Sequence, residues 1–138
     1  MSVQTQTTSF KAECWQAVHN LLTDTLQIAL YTGAATLDQT TTVYSTTGEV
    51  VGTGYTAGGV VLTGATIGTD GFTVYGSFVN PVWATAGFTA RYALIYNASK
   101  GNKSVAVLDF GADKTAVNTF TVTLPANTAT SALLRSSN

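Results

Sequence analysis

The chain has 138 residues, 45% hydrophobic and only 9% charged, with a net charge of −1, one cysteine and one histidine. That length fits a single domain with a sizeable core, and the apolar share excludes general disorder. Scattered lysines and arginines exclude a nucleic-acid footprint or an anionic-lipid patch, no apolar run approaches the roughly 20 residues of a membrane-spanning helix, and a lone cysteine excludes a disulfide framework.

Polarity comes from Thr, Ser, Asn and Gly rather than from charge, which falls far below the roughly 25% of an average soluble domain. Threonines and aromatics suit pleated, half-buried surfaces, and frequent glycines suit tight turns. Met1 to Thr8 reads as a loose polar arm, residues 1–8, without the basic and apolar regions of a secretory signal, so synthesis in a cytoplasm is expected. Ser9 is placed to cap a helix, and Phe10, Cys14, Ala17, Val18 and Leu21 recur at helical spacing, which predicts one amphipathic helix over 9–22. Cys14, on the apolar face, is expected to be a small buried hydrophobe, and His19, beside the stripe, a surface or interface residue of the helix.

From Leu26 the pattern changes to period two: Leu26, Ile28 and Leu30 alternate with Gln27, Ala29 and Tyr31. Gly33 to Gly59 is a long Thr/Gly-rich connection with one short strand expected near Thr41–Tyr44. Further strands are expected at Val60–Thr63, Phe72–Tyr75 and Ser77–Val82, with Asp70-Gly71 as a turn before Phe72 and Pro81 at an edge or strand end. Phe88–Tyr96 and Ser104–Phe110 read as two long strands joined by a hairpin at Lys100-Gly101-Asn102-Lys103. Residues 119–124 alternate threonine with Phe120, Val122 and Leu124, Pro125 ends that strand, and Ser131–Arg135 supplies a last one. The fold class that follows is all-β, an antiparallel β-sandwich over residues 25–138 with one N-terminal α-helix. Leu26, Ile28, Leu30, Leu94, Val105, Val107, Phe120, Val122 and Leu124 are its expected core.

Between Val50 and Ser99 only Asp70 and Arg91 are charged. Exposed sheet edges are usually guarded by charge, and charge depletion marks the cores of interfaces. The stretch is therefore expected to be covered by copies of the chain or by a partner, the alternative being a well-covered sandwich whose threonines solvate its surface; Tyr55, Thr56 and Thr85 are the candidate oligomer or lattice contacts.

No catalytic, cofactor or metal site is expected. His19 has no recognisable nucleophile elbow or orienting carboxylate, and one histidine with one cysteine cannot furnish a usual zinc site. Gly52-Thr53-Gly54 and Gly58-Gly59 precede a strand-like Val60-Val61-Leu62 rather than the helix a phosphate loop needs. Asp109-Phe110-Gly111 lacks every companion of the kinase magnesium motif and reads as a strand end and turn; Asp109 and Asp113 have too few neighbouring carboxylates for Ca²⁺. Asn97-Ala98-Ser99 and Asn102-Lys103-Ser104 match the glycosylation pattern without a secretion signal. Tyr31, Tyr44, Tyr55, Tyr75, Trp83, Tyr92 and Tyr96 alternate with small residues, which favours packing over a sugar platform.

Three segments carry a resemblance: Leu26-Gln27-Ile28-Ala29-Leu30-Tyr31-Thr32; the run from Gly48 through Gly54-Tyr55-Thr56 to Gly59; and Phe88 to Asn97 continuing into Val105 to Gly111. Across roughly 26–135 the chain resembles short structural proteins of tailed bacteriophages, closest in style to capsid cement or decoration proteins. The resemblance implies a jelly-roll-like sandwich, no enzymatic activity, and a homo-oligomer, dimer or trimer, bound to the major capsid protein on the virion surface after synthesis in the bacterial host cytoplasm. A tail, fibre or carbohydrate-binding adhesion module is the alternative.

Overall fold

A computed structural model describes residues 3–137. The main sheet has the order β1-β8-β7-β2-β3, formed by β1 (Val3–Gln6), β2 (Leu26–Tyr31), β3 (Val60–Val61), β7 (Thr89–Asn97) and β8 (Lys103–Thr115), all neighbours antiparallel. A three-stranded sheet orders β10 (Leu134–Ser136), β5 (Thr73–Ser77) and β4 (Thr66–Asp70), and β6 (Val82–Trp83) pairs β9 (Phe120–Thr121). With one α-helix among the described residues, α1 (Thr8–Trp15), the fold is the antiparallel all-β architecture anticipated.

The nine expected core residues are all buried. They do not share one face. Ile28, Ile95 and Ala106 are cross-strand neighbours in the main cluster, with Leu26, Leu30, Trp83, Phe88 and Phe120. Ala29, Leu94 and Val107, one residue out of phase, point to the other face and pack with Tyr31, Tyr96, Ala35 and Tyr44 in a second cluster. Period-two alternation thus buries both faces, and the 33–59 connection covers the back of the sheet.

Several boundaries differ from the sequence reading. The expected loose arm is strand β1 from Val3, paired with Ala106–Asp109 of β8; its start, Met1 and Ser2, lies outside the described residues. Its glutamines suit an edge bordered by carbonyls: Gln4 Nε2 donates to the oxygens of Ser131 and Ala132, and Gln6 Nε2 to that of Arg135. The helix cap is Thr7, whose Oγ1 accepts from Phe10 N (3.3 Å), while Ser9 Oγ lies 3.3 Å from Ser104 Oγ. The helix ends at Trp15 instead of reaching 22, because Ala17 turns left-handed (φ 59°) and Asn20 and Asp24 side chains bond nearby backbone N–H groups. Only Phe10 of the apolar stripe is buried on the helix; Cys14 is exposed, not the buried hydrophobe expected.

Val43 makes a single bridge to Lys103 where a short strand was expected at 41–44. β4 was not anticipated; it forms with β5 the hairpin whose turn is Gly71-Phe72. The strand expected at 77–82 is instead the end of β5 and, after a break, β6. β8 does not stop at Phe110: it continues to Thr115 across a bulge that advances β8 from Asp109 to Lys114 while β7 moves only from Tyr92 to Ala90. The 119–124 segment keeps its burial alternation, but only Phe120–Thr121 enters a ladder.

Phe120 sits with ring centroids 5.2 Å from Phe88, 6.0 Å from Trp83 and 6.1 Å from Phe110. Phe120→Ala is expected to lower unfolding free energy by about 3–5 kcal/mol in chemical denaturation, through lost transfer energy and an unfilled cavity.

Candidate functional site

The three residues singled out as contacts meet at one corner. Thr85 is exposed with φ 56°, an unfavourable conformation for a β-branched residue, and its carbonyl abuts Gly54, where an added Cβ would lie 2.5 Å away. Gly87 N donates to Thr53 O (2.9 Å), joining the 53–56 and 85–87 loops. Thr56 is exposed beside them. Tyr55 is half-buried, stacked near Trp83 (6.4 Å) and edge-on to Phe88 (5.7 Å), so it supports the corner from beneath. Trp83 Nε1 is buried there without an acceptor, the one such side-chain atom among the described residues.

The tyrosines form an internal lock around Glu49. Its carboxylate accepts from Tyr44 OH (2.7 Å), Tyr55 OH and Gly58 N (2.8 Å), while Tyr55 OH also accepts from Leu30 N (3.0 Å). Tyr96 OH meets Gly58 O (2.6 Å) and Gln27 Oε1 (2.7 Å), and Tyr31 OH donates to Ser45 O (2.6 Å). Gly59 closes the lock against β2: with φ 80°, it leaves no space for a Cβ, which would fall 1.8 Å from Ile28 O. Gly59 therefore serves close backbone approach, and the hydroxyls of Tyr31, Tyr44, Tyr55 and Tyr96 are engaged within the fold.

His19 lies outside the helix with its side chain 1% exposed, contrary to the expected surface position. Asn97 Nδ2 donates to His19 Nδ1 (3.0 Å) and to Asp24 Oδ2 (2.8 Å), which leaves His19 Nε2 to donate to Glu13 Oε1 (2.9 Å). Lys100 Nζ completes the chain at Asp24 Oδ1 (3.4 Å). Both imidazole nitrogens are occupied, so the ring anchors the 16–25 turns to β7 and has no free nitrogen for a substrate proton. Asp109 Oδ1 accepts from Gly111 N (2.8 Å) and Arg91 Nε (3.1 Å) within the β8 bulge. Among the described residues no three His, Cys, Asp or Glu side chains gather into a metal-sized cluster.

The outer surface is apolar in patches that sequence pattern did not reveal. Of the eleven exposed large hydrophobic residues among the described residues, seven fall in the nearly uncharged 50–99 stretch, among them Val51, Ile67, Phe72 and Val74. A groove of about 500 Å³ runs between α1 and the three-stranded sheet, lined by Phe10, Leu21, Ile67, Val74 and Leu134 with Trp15, 94% exposed, beside them. Contiguous apolar exposure of this kind marks interaction surfaces. The signal was present in Trp15 and Phe72 themselves, but only β4 and the early helix end show that they face outward. No family model, curated protein or solved structure matches the chain.

Two outcomes test the internal ties. Burial first, then Glu49, raises the hydroxyls of Tyr31, Tyr44 and Tyr55 above the usual tyrosine range. Their contribution is complete below the ordinary pKa of about 10 and is lost as pH rises beyond it, so the denaturation midpoint should fall between pH 9 and 11. Glu49→Ala, which strips three donors of their acceptor, should cost about 2–3 kcal/mol at pH 7.

Donation from Asn97, then from Asn20 N–H, holds Asp24 below the usual carboxylate range. The stabilisation it carries is present above the unfolded pKa of about 4 and disappears as pH falls through the depressed value. Asn97→Ala should therefore lower stability by about 2–3 kcal/mol at pH 7 and flatten the acid limb below pH 5, measured by denaturant titration at several pH values.

Proposed function

We propose that the chain is a non-enzymatic structural subunit of a tailed-bacteriophage virion, a capsid cement or decoration protein that binds the major capsid protein and copies of itself on the outer shell. The observation that carries this reading is the nearly uncharged 50–99 stretch, which exposes large hydrophobic residues on a β fold whose own core is already closed. Seven exposed large hydrophobics in the 50–99 stretch, and Trp15 beside the groove, are costly to leave in water and gain from cover by another chain. The resemblance of the Leu26–Thr32, Gly48–Gly59 and Phe88–Gly111 segments to phage virion proteins supplies the phage assignment, including the jelly-roll-like wrapping. Binding only to the assembled shell stabilises that state by mass action, and many symmetric copies add avidity.

The corner of Thr56 and Thr85 is the assigned contact. Its left-handed, exposed threonine is a strained feature of the kind that persists where something other than monomer stability is selected. The adhesion reading has less support, because the hydroxyls of Tyr31, Tyr44, Tyr55 and Tyr96 are engaged internally.

Shells of the major capsid protein should retain the wild-type chain in co-sedimentation. Thr56→Lys with Thr85→Lys should weaken retention about tenfold or more with an unchanged melting temperature, since an unpaired charge in an interface is costly to desolvate. Wild-type chain that ignores the shells, or that binds a defined glycan on an array, would sink the proposal.

A further inference from the structure

We infer that β4 is a self-pairing edge: two copies of the chain join antiparallel along Thr66–Asp70, with Gly68 opposite Gly68 of the second copy. This rests on the reading of the chain as an assembly subunit and names one of its interfaces.

The argument begins with an open edge. Among the described residues β4 has one ladder, to β5, and no other backbone hydrogen bond reaches residues 66–70. The other outer strands are guarded or short. β1 gives its glutamine side chains to the 131–135 carbonyls, β10 has the Arg135 carbonyl capped by Gln6, and β3, β6 and β9 are only two residues long. β4 has five residues, no Lys, no Pro and no bulge, and its one charge, Asp70, stands at its end. Such an edge is a template for another strand.

The turn then sets which groups are free. Asp70-Gly71-Phe72-Thr73 is a two-residue hairpin, with Gly71 at φ 58° in the first central position as a type II′ turn requires. Asp70·Thr73 is thus a hydrogen-bonded pair, and alternation makes Gly68·Tyr75 and Thr66·Ser77 the next two. Ile67 and Thr69 consequently turn their N–H and C=O groups outward.

Centring a two-fold axis on Gly68 places Ile67 opposite Thr69 of the second copy, twice, and all four outward pairs of groups can bond. Gly68·Gly68 becomes the close pair, about 4.5 Å between Cα atoms, where a side chain would be most crowded. At Gly68 that space is already filled by the Tyr75 ring, 2.6 Å from where a Cβ would sit. Charge selects the same register. Asp70 falls opposite Thr66, whose Oγ1 accepts from Asn127 Nδ2 (2.9 Å) and keeps its own hydrogen to donate. The two Asp70 carboxylates lie about 14 Å apart along the joint, beyond a Debye length of about 8–10 Å, whereas centring on Asp70 would oppose them directly. Ile67 and Val74, half-exposed on the groove side, gain cover from the second copy.

The test is register-specific cross-linking in a Cys14→Ser background. Ile67→Cys and Thr69→Cys chains, mixed and oxidised, should form a disulfide dimer, because opposed positions lie about 5.5 Å apart between Cα atoms. Either variant alone should not, since like positions stand about 8 Å apart, out of disulfide reach. In sedimentation the wild-type chain should dimerise, and Thr69→Pro, which removes only an outward N–H, should raise the dimer dissociation constant about tenfold. If Thr69→Pro fails to fold, the cross-link alone decides. A dimer indifferent to Thr69→Pro and without the mixed disulfide would overturn the β4 interface, as would a wild-type chain still monomeric at about 1 mM. Shell co-sedimentation, scored separately, tells that failure from failure of the assembly reading.

Discussion

β2 sends Ile28 and Leu30 into the main core and Ala29 and Tyr31 into the second cluster, while Leu94 and Val107 follow Ala29 across the ladder. A sheet apolar on both faces cannot stand at a protein surface, and most of the remaining chain answers that demand. The minor strands and the 119–124 segment cover one face with Trp83, Phe120, Val122 and Leu124. The back is covered by a connection with almost no regular structure, held by Glu49 and its tyrosines. Loops with little backbone pairing of their own are ordinarily mobile, so a carboxylate accepting two hydroxyls and a backbone N–H is what lets this one serve as a wall.

The same economy explains the bare exterior. Of the seven acidic residues, Glu13, Asp24, Glu49 and Asp109 bond within the fold, and Asp38 bonds Thr40. Arg91 and Lys100 are paired with two of them. Within residues 50–99 Arg91 is paired and only Asp70 stands without an ionic partner among the described residues, so the polarity of that surface rests on threonine hydroxyls. Such a surface desolvates at low cost, which favours association over solubility.

The alternation of 26–31, 89–96, 104–110 and 119–124 was legible in the sequence because period two survives whichever face is buried. Which face was not legible: with both sides covered, Leu94 and Leu26 look alike in the chain and lie on opposite sides of the sheet. The arm and the helix were misread for a related reason. Glutamine and threonine in residues 3–7 look like solvent-facing text, yet Gln4 bonds a carbonyl 127 residues away and Thr7 one 98 residues away, which no local pattern records. Phe10 to Leu21 has helical spacing, but the left-handed Ala17 and the Asn20–Asp24 turn divide it. The corner of Tyr55, Thr56 and Thr85 was chosen from charge depletion alone; only the Thr53·Gly87 bridge shows that the two segments are neighbours.

A nearly uncharged, partly apolar surface over residues 50–99 and an open edge would ordinarily lead to unlimited association, so the proposed assembly subunit needs geometry that stops. A two-fold joint at β4 has that property: it is isologous, it consumes the edge on both copies, and it leaves none for a third. The proposed contact corner belongs to different segments, the 53–56 and 85–87 loops, and so would remain available on each half of a pair. A dimer with two such corners would bind a repeating shell with an effective concentration set by its own rigid span, while remaining finite when free. Weak contacts then suffice. On the proposed reading, a threonine-rich surface that gains little per contact would become selective for the lattice, because only the lattice would offer both corners a partner at once.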